Sequence, residues 1–460
     1  MENMTVLELV QSIKDKKVTA EEVVKFYIDN CKKNEKYNAV VEVFDDALAQ
    51  AKKVDEKIKN GEEVGKLAGV PVAIADNILV QGKVGSAASK FLEKFVSPYS
   101  ATVVEKLVKE DAIILCRTNM DEFNVGSSNE YSLYGVCHNA CDFDKVAGGA
   151  QGGAAVAVAL DMAPVSIATD TGGTSRMPAS LNGVVTIKPT FGVVSRYGIV
   201  GSSFDQVSPI TKDVESNEYV LNVLAGKDFH DGMTLSVKLE DQKLNDKVTL
   251  GVIKEANVTK EFESQVEELK KQGFEIKEVS VPHFNKSLAC YYVIAPAITT
   301  SNLAKFDGIK SSRRSEDITD LESVYVNSRS EGFGVEAKRR IILGNFVLSG
   351  ENLQNYYNQA RKVKNIITNE IENALKKVDA IVLPATKGPA FNIGEKVNDP
   401  VAMYKEDEYL VPASLSGLPA VTVPYTVDNN FVGMQFIGDR LTESKLYKIA
   451  SKFENARRDK

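Results

Sequence analysis

Apolar and polar positions along the chain fall into two rhythms. The first sixty residues carry helical spacing. Thr5-x-x-Glu8 and Thr19-x-x-Glu22 both have the form of a capping box, in which hydroxyl and carboxylate satisfy free backbone N–H groups at a helix start. After Thr19, Val23, Val24 and Tyr27 recur on one face. From Leu67 onward, short apolar runs alternate with helical stretches. GVPVAIADN reads as a strand, ATVVEKLVKEDAIILCRT as helix then strand, and APVSIATDTGG as a buried strand entering a glycine turn. VTLGVI, a helix over 260–273 and FEIKEVSVP form a βαβ-like unit. VDAIVLPAT, PAVTVPY and VGMQFIGD are the last strands, and a helix over 442–457 closes the chain. This alternation predicts an α/β sheet with helices on both faces.

Between 285 and 377 the strand pattern stops. The segment is helical, charged and tyrosine-bearing, which predicts a helical insert on the sheet. The resulting division is 1–60 N-terminal helices, 67–284 core, 285–377 insert and 378–460 final strands and helix.

Composition narrows the functional class. The 460 residues are 43% apolar and 26% charged with a formal net charge of −7, as in a soluble globular protein rather than a broad nucleic-acid-binding surface. Five cysteines in so long a chain make no disulfide framework. MENMTVLELVQSIKDKK lacks the apolar core of a signal peptide. The longest apolar run, 154–165, is broken by Asp161 and too short to cross a bilayer. These readings predict a soluble, cytoplasmic protein without membrane contact.

Candidate chemistry concentrates in 146–189, where two glycine-rich turns flank an alanine/valine helix and a strand. DTGGTSRMP sets Thr174 and Ser175 at the end of a Gly-Gly turn. A hydroxyl beside successive backbone N–H groups suits a nucleophile with an oxyanion hole. The same letters also make a tight turn with a capping hydroxyl. GGAQGG fits neither a P-loop nor a dinucleotide fingerprint. Cys137, His138 and Cys141 are soft metal ligands at close spacing, but His230 and His283 stand alone and no second cluster completes a site, so no metal is predicted. Three histidines give a Ser-His-Asp triad no support.

The chain resembles the amidase signature family. The resemblance rests on AIADN at 73–77, GGAQGG at 148–153, DTGGTSRMPASLNG at 170–183 and the following IKPTFGVVSRYG. More narrowly, TNMDEFNVGSSNEYSLYG, SNLAKFDG, SRSEGFG, KRRIILG and GEKVNDPVAMY are similar to segments of the A-type subunits of aminoacyl-tRNA amidotransferases. The resemblance covers nearly the whole chain. It implies a single amidase-signature domain over 1–460, with a large mixed central sheet, helices on both faces and a helical insert.

The family opens amide bonds with a serine nucleophile, a cis-serine that shuttles the proton and a lysine base. The resemblance places the lysine on Ala75, the cis-serine on Ala150 (with Gln151 after it) and the nucleophile on Thr174, with Ser175 as a substitute. The oxyanion-hole N–H groups fall on Thr171, Gly172 and Gly173. Alanine cannot take a proton, so the family route of hydrolysis is not expected. By contrast, the pocket that holds glutamine by its α-groups is kept. Its arginine falls on Arg340, its acid on Asp407 and its tyrosine on Tyr291. Arg340 and Asp407 read on charge alone are equally solvated helix charges.

Two functions therefore stand side by side. One is a catalytically silent relative that binds an amino acid or amide and serves as scaffold or regulatory subunit. The other is an active subunit in which Thr174 or Ser175 works with a base outside the family scheme. The resemblance implies B- and C-type subunits or a second copy as partners, tRNA reached only through such a complex, and no cofactor. Two segments depart from the family pattern: SSRRSED, with Ser311, Ser312, Arg313 and Arg314 replacing aromatics, and GVCHNACDF.

Overall fold

Eleven strands form one mixed sheet in a computed structural model that describes residues 1–236, 239–245, 247–310 and 313–458. In chain order they are β1 (Val40–Val43), β2 (Pro71–Ala75), β3 (Ile113–Thr118), β4 (Val165–Asp170), β5 (Val185–Lys188) and β6 (Gln206–Thr211). They continue as β7 (Thr249–Ile253), β8 (Glu275–Val279), β9 (Ala380–Pro384), β10 (Ala420–Val427) and β11 (Asn430–Ile437). The spatial order is β1-β3-β2-β4-β6-β5-β10-β11-β9-β7-β8. β2 runs parallel to β3 and β4, and β7 to β8 and β9, while the remaining neighbours are antiparallel.

Side-chain alternation explains why helices cover both faces. Along β9, Ala380 and Val382 pack into a cluster with the helices Thr102–Lys109, Val214–Leu224, Lys260–Lys271 and Glu443–Arg458. Ile381 and Leu383 point the other way, into a cluster with Ser287–Leu303 and Gln359–Leu375. A strand with apolar residues on both faces must be covered twice, as the alternating pattern predicts.

Both capping boxes form. Thr5 Oγ1 accepts from the Glu8 N–H at 3.2 Å while Glu8 Oε2 accepts from the Thr5 N–H at 2.8 Å. The Thr19/Glu22 pair closes in the same way at 3.1 and 2.9 Å. The first sixty residues are not all helical, however. VVEV at 40–43 is β1, an edge strand on β3. Among the described residues of 285–377 there is no strand, and the helices Ser287–Leu303, Leu321–Gly332, Val335–Leu348 and Gln359–Leu375 lie there, with the helical segment Leu353–Asn358 before the last. Ser311 and Ser312 lie outside the described residues, while Arg313 beside them pairs with Glu93 at 3.2 Å. No helix among the described residues is long and apolar enough to cross a membrane.

Candidate active site

The two glycine loops meet at the ends of β2 and β4. Asp170, the last residue of β4, is fully buried and organises the turn that follows. It accepts from the N–H groups of Gly173, Ser175 and Arg176 at 3.0–3.2 Å and pairs with the Arg176 guanidinium at 2.8 Å. Arg176 is itself fully buried and also donates to Leu410 O, Ser414 Oγ and Gln435 Oε1. Burial pushes the Asp170 carboxyl up, but the Arg176 charge outweighs it and holds the pKa below the ordinary value.

This turn carries Thr174, which is buried. Its hydroxyl donates to Thr169 O at 2.9 Å and accepts from the Thr171 N–H at 3.1 Å and from Asn124 Nδ2 at 3.2 Å. Ser175 is fully buried, and its hydroxyl donates to Asp170 Oδ2. Of the predicted oxyanion N–H groups, that of Thr171 already serves Thr174 and that of Gly173 serves Asp170. The Gly172 N–H has no hydrogen-bond partner among the described residues. A Cβ on Gly172 would lie 2.5 Å from the Tyr291 hydroxyl and ring, so only glycine lets this loop approach Tyr291 so closely.

Ala75 closes β2 and Ala150 sits in the first glycine loop, both with 0% exposure. The Gly149–Ala150 peptide is cis, and a methyl group stands where the resemblance places the shuttling hydroxyl. A Cβ on Gly149 would lie 2.4 Å from Asp121 Oδ2, and Asp121 N donates back to Ala150 O at 2.8 Å. The buried Gln151 side chain reaches into the polar space beside these alanines. Its Nε2 donates to Asn124 Oδ1 at 2.8 Å and to Thr169 Oγ1 at 2.9 Å, and Asn77 Nδ2 reaches the same Thr169 oxygen at 2.9 Å. An amide network occupies this part of the site, and no lysine is among its members.

Tyr291, Arg340 and Asp407 come together from three segments. Tyr291 lies on Ser287–Leu303, Arg340 on Val335–Leu348, and Asp407 ends the short turn Lys405–Asp407. The Arg340 guanidinium lies 4.7 Å from the Tyr292 ring centre and 4.4 Å from that of Tyr404, and those two rings stack at 4.0 Å. Arg340 Nε donates to Glu336 Oε1 at 2.7 Å. Its two terminal nitrogens have no hydrogen-bond partner among the described residues, which leaves a fork fitted to a carboxylate. Burial works against the Arg340 charge, yet Tyr292, Glu336 and Tyr404 together hold its pKa well above the usual value.

Asp407 Oδ2 accepts from the Tyr292 hydroxyl at 2.6 Å and from Ser127 Oγ at 3.1 Å. Burial pushes its pKa up to about 7 against the opposing pull of these donors and of Arg340. Tyr292, Tyr404, Glu336 and Ser127 are members of the site that the sequence motifs do not single out. The one local signal is the Glu336-x-x-x-Arg340 spacing on a helix.

Cys137 is buried, and His138 stacks on Phe143 at 3.8 Å with Nδ1 bonded to Phe143 O. Among the described residues no group of three or more His, Cys, Asp or Glu side chains is arranged to hold a metal.

The amidase family model matches residues 22–447. The chain belongs to the amidase family. Among curated amidase relatives, the A subunit of the glutamyl-tRNA(Gln) amidotransferase of Thermoanaerobacter pseudethanolicus is 42% identical, covering 99% of this chain and 96% of that protein. Its namesake from Fusobacterium nucleatum is 42% identical over 98% and 96%. Of solved amidase-fold structures, the A subunit of the glutamyl-tRNA(Gln) amidotransferase of Thermotoga maritima superposes with a TM-score of 0.80 at 32% identity, covering 98% of this chain and 94% of that one. The native peptide amidase of Stenotrophomonas maltophilia superposes at 0.83 with 25% identity, covering 99% and 97%.

Proposed function

We propose that this chain is an amidotransferase A-type subunit that binds glutamine or a related amino-acid amide without hydrolysing it by the family route. It would act as a scaffold or regulatory subunit. The observation that carries this reading is the contrast within one site. The Arg340 guanidinium and the Asp407 carboxylate suit the α-groups of an amino acid, while Ala75 and Ala150 stand where the resemblance puts the proton-handling groups. Positioned general acid–base groups contribute about 10²–10⁴-fold, and loss of members of one catalytic unit is strongly non-additive. Thr174 gives its own proton to a backbone carbonyl, and Ser175 gives its proton to Asp170. Neither proton is directed at a lysine, the base of the family route.

Partners follow from the relatives, which are named as amidotransferase subunits. B- and C-type subunits, or a second copy of this chain, are the expected companions. tRNA is reached only through such a complex, without a cofactor on this chain, and the cytoplasm is the corresponding location. Calorimetry with glutamine and glutaminase turnover on the same preparation test the reading. Binding without ammonia release supports it. Ammonia release that disappears in Thr174→Ala overturns it.

A second reading is favoured by 42% identity across nearly the whole length of proteins named as the A subunits of glutamyl-tRNA(Gln) amidotransferases. In it, Thr174 or Ser175 attacks, a group outside the family scheme takes the proton, and the ammonia released serves tRNA-dependent amidation. An electrophilic glutamine analogue separates the two: a covalent adduct on Thr174 or Ser175 in mass spectrometry supports the second reading, and an unmodified chain under saturating analogue removes it.

A further inference from the structure

Buried side chains of Asn77, Thr169, Gln151, Asn124 and Asp205 close into a ring beside Thr171. Asn77 Nδ2 and Gln151 Nε2 both donate to Thr169 Oγ1 at 2.9 Å. Gln151 Nε2 also donates to Asn124 Oδ1 at 2.8 Å, and Asn124 Nδ2 reaches Asp205 Oδ1 at 3.5 Å. Gly201 completes the circuit, since a Cβ there would lie 2.0 Å from Asp205 Oδ2 and 3.7 Å from Asn77 Nδ2. The ring is unbalanced in two respects. Asn77 Oδ1 and Gln151 Oε1, the carbonyl oxygens of two fully buried amides, have no hydrogen-bond partner among the described residues. Both amides meet on one hydroxyl, so these oxygens share one small volume. Asp205 carries the ring's charge. Its Oδ1 accepts from the Thr171 hydroxyl and its Oδ2 from the Ser202 N–H at 2.9 Å, which leaves acceptor capacity on Oδ2. Among the described residues Asp205 has no salt-bridge partner, and Arg196, the cation that acts on it, is itself paired with Asp231 at 3.2 Å.

We propose that this ring binds one small monovalent cation, ammonium or potassium, between the Asp205 carboxylate and the carbonyl oxygens of Asn77 and Gln151. A buried carbonyl without a donor and a buried carboxylate without a counter-charge are each unfavourable, and one cation relieves all three groups together. A water molecule would serve the carbonyls but leave the charge uncompensated. The single carboxylate matches a single positive charge. A divalent ion such as calcium takes about six or more oxygens, several of them from carboxylates. Among the described residues no group of three or more His, Cys, Asp or Glu side chains supplies such a set. Burial pushes the Asp205 pKa up to about 6 against the pull of Thr171 and the Ser202 N–H, so the carboxylate predominates at neutral pH. Neither Arg340 nor Asp407 belongs to the ring, so the cation site is independent of the amino-acid reading.

Thermal unfolding of the full chain in ammonium, potassium and tetramethylammonium chloride, all at one ionic strength and neutral pH, tests this. A cation that binds only the folded state raises Tm, and tetramethylammonium, bulky and without a hydrogen-bond donor, is the reference. Ammonium or potassium at about 100 mM is expected to raise Tm by about 2 °C over that reference. A rise in ammonium alone assigns a hydrogen-bonding cation and a rise in both assigns size and charge; either supports the site. Asp205→Asn is expected to abolish the increment by removing the charge, and Gln151→Met to reduce it by removing one carbonyl. Rubidium soaked into crystals locates the ion directly, and its anomalous signal is expected against Asp205 Oδ2. Equal Tm in the three salts, the result if the ring holds only water, overturns the proposal. An increment that survives both substitutions, or rubidium bound only elsewhere, overturns it as well.

Discussion

Tyr292 donates its hydroxyl to Asp407 at 2.6 Å while its ring faces the Arg340 guanidinium at 4.7 Å. One residue thus supports both charges of the proposed ligand clamp. Hydrogen bonds to charged groups contribute about 1.5–3 kcal/mol. Tyr292→Phe keeps the stacking surface and removes only the donor, so glutamine affinity at pH 7.5 falls by about tenfold or more. Isothermal titration reads the effect, and an unchanged Kd would show that Asp407 does not engage the ligand.

Affinity also follows the charge on Asp407. With a pKa raised to about 7 by burial, the carboxylate that would pair with a ligand ammonium is lost as pH falls through 7. Glutamine binding therefore weakens by about tenfold per unit between pH 6.5 and 5, as a single linked proton requires. Thermal shift across that range reads the slope, and Tyr292→Phe moves the onset to higher pH, since it removes a donor that favours the ionised form.

Stability without ligand has the opposite sign. Asp121 and Glu122 are both raised by burial to about 7, and Asp205 to about 6. Their folded pKa values lie above the unfolded ones, so the folded state binds more protons between about pH 4 and pH 7. Their contribution is full below the unfolded pKa and is lost as pH rises through 7. Tm accordingly rises from pH 8 to about pH 5.5. Asp170 has the reverse shift, a pKa lowered by Arg176, and its contribution falls away under stronger acid. Scanning calorimetry across pH 3–9 is expected to show a maximum on the acid side of neutrality.

The sequence pattern reveals helices and strands where burial is periodic, and fails where context decides. β6 escapes it because Pro209 lies inside, and proline argues against an interior strand; here it pairs opposite Ile167 in β4. β5 has four residues and β1 follows a helix-rich stretch, so neither leaves enough periodicity to read. Motif letters single out Thr174, Arg340 and Asp407 as candidates, because each lies in a contiguous segment. The stack of Tyr292, Arg340 and Tyr404 joins residues from three separate helices, and no local pattern encodes contacts between segments that far apart. The same holds for Asp205, whose neighbours Asn124 and Thr171 belong to other loops.

Arg176 anchors the second glycine loop from beneath. It is fully buried and pairs with an equally buried Asp170. Removing one partner of such a pair leaves a buried charge without compensation and costs about 3–5 kcal/mol. Arg176→Met is therefore expected to lower stability by that amount in urea unfolding and to abolish glutamine binding, since Gly173, Ser175 and Arg176 N–H groups all hold to the same carboxylate. A mild loss below about 1 kcal/mol would show that water reaches Asp170.

Restoring Ala75→Lys, Ala150→Ser and Thr174→Ser tests whether the scaffold still supports hydrolysis. Gln151 makes the outcome depend on a fourth position. Its Nε2 holds Asn124 Oδ1 and Thr169 Oγ1, and its backbone N–H donates to Thr174 O at 3.0 Å, so its side chain occupies polar space between these groups while its backbone ties the two loops. A lysine ammonium introduced at the fully buried position 75 needs acceptors, and burying it unpaired is strongly unfavourable. The triple variant is therefore expected to be destabilised and nearly inactive. Adding Gln151→Ser frees Asn124 Oδ1 and Thr169 Oγ1, supplies a hydroxyl and keeps the backbone bond. Glutaminase turnover is expected to rise by about 10²-fold or more over the triple variant, the scale of positioned proton transfer. Equal rates in the triple and quadruple variants would show that Gln151 does not stand in the way of the chemistry.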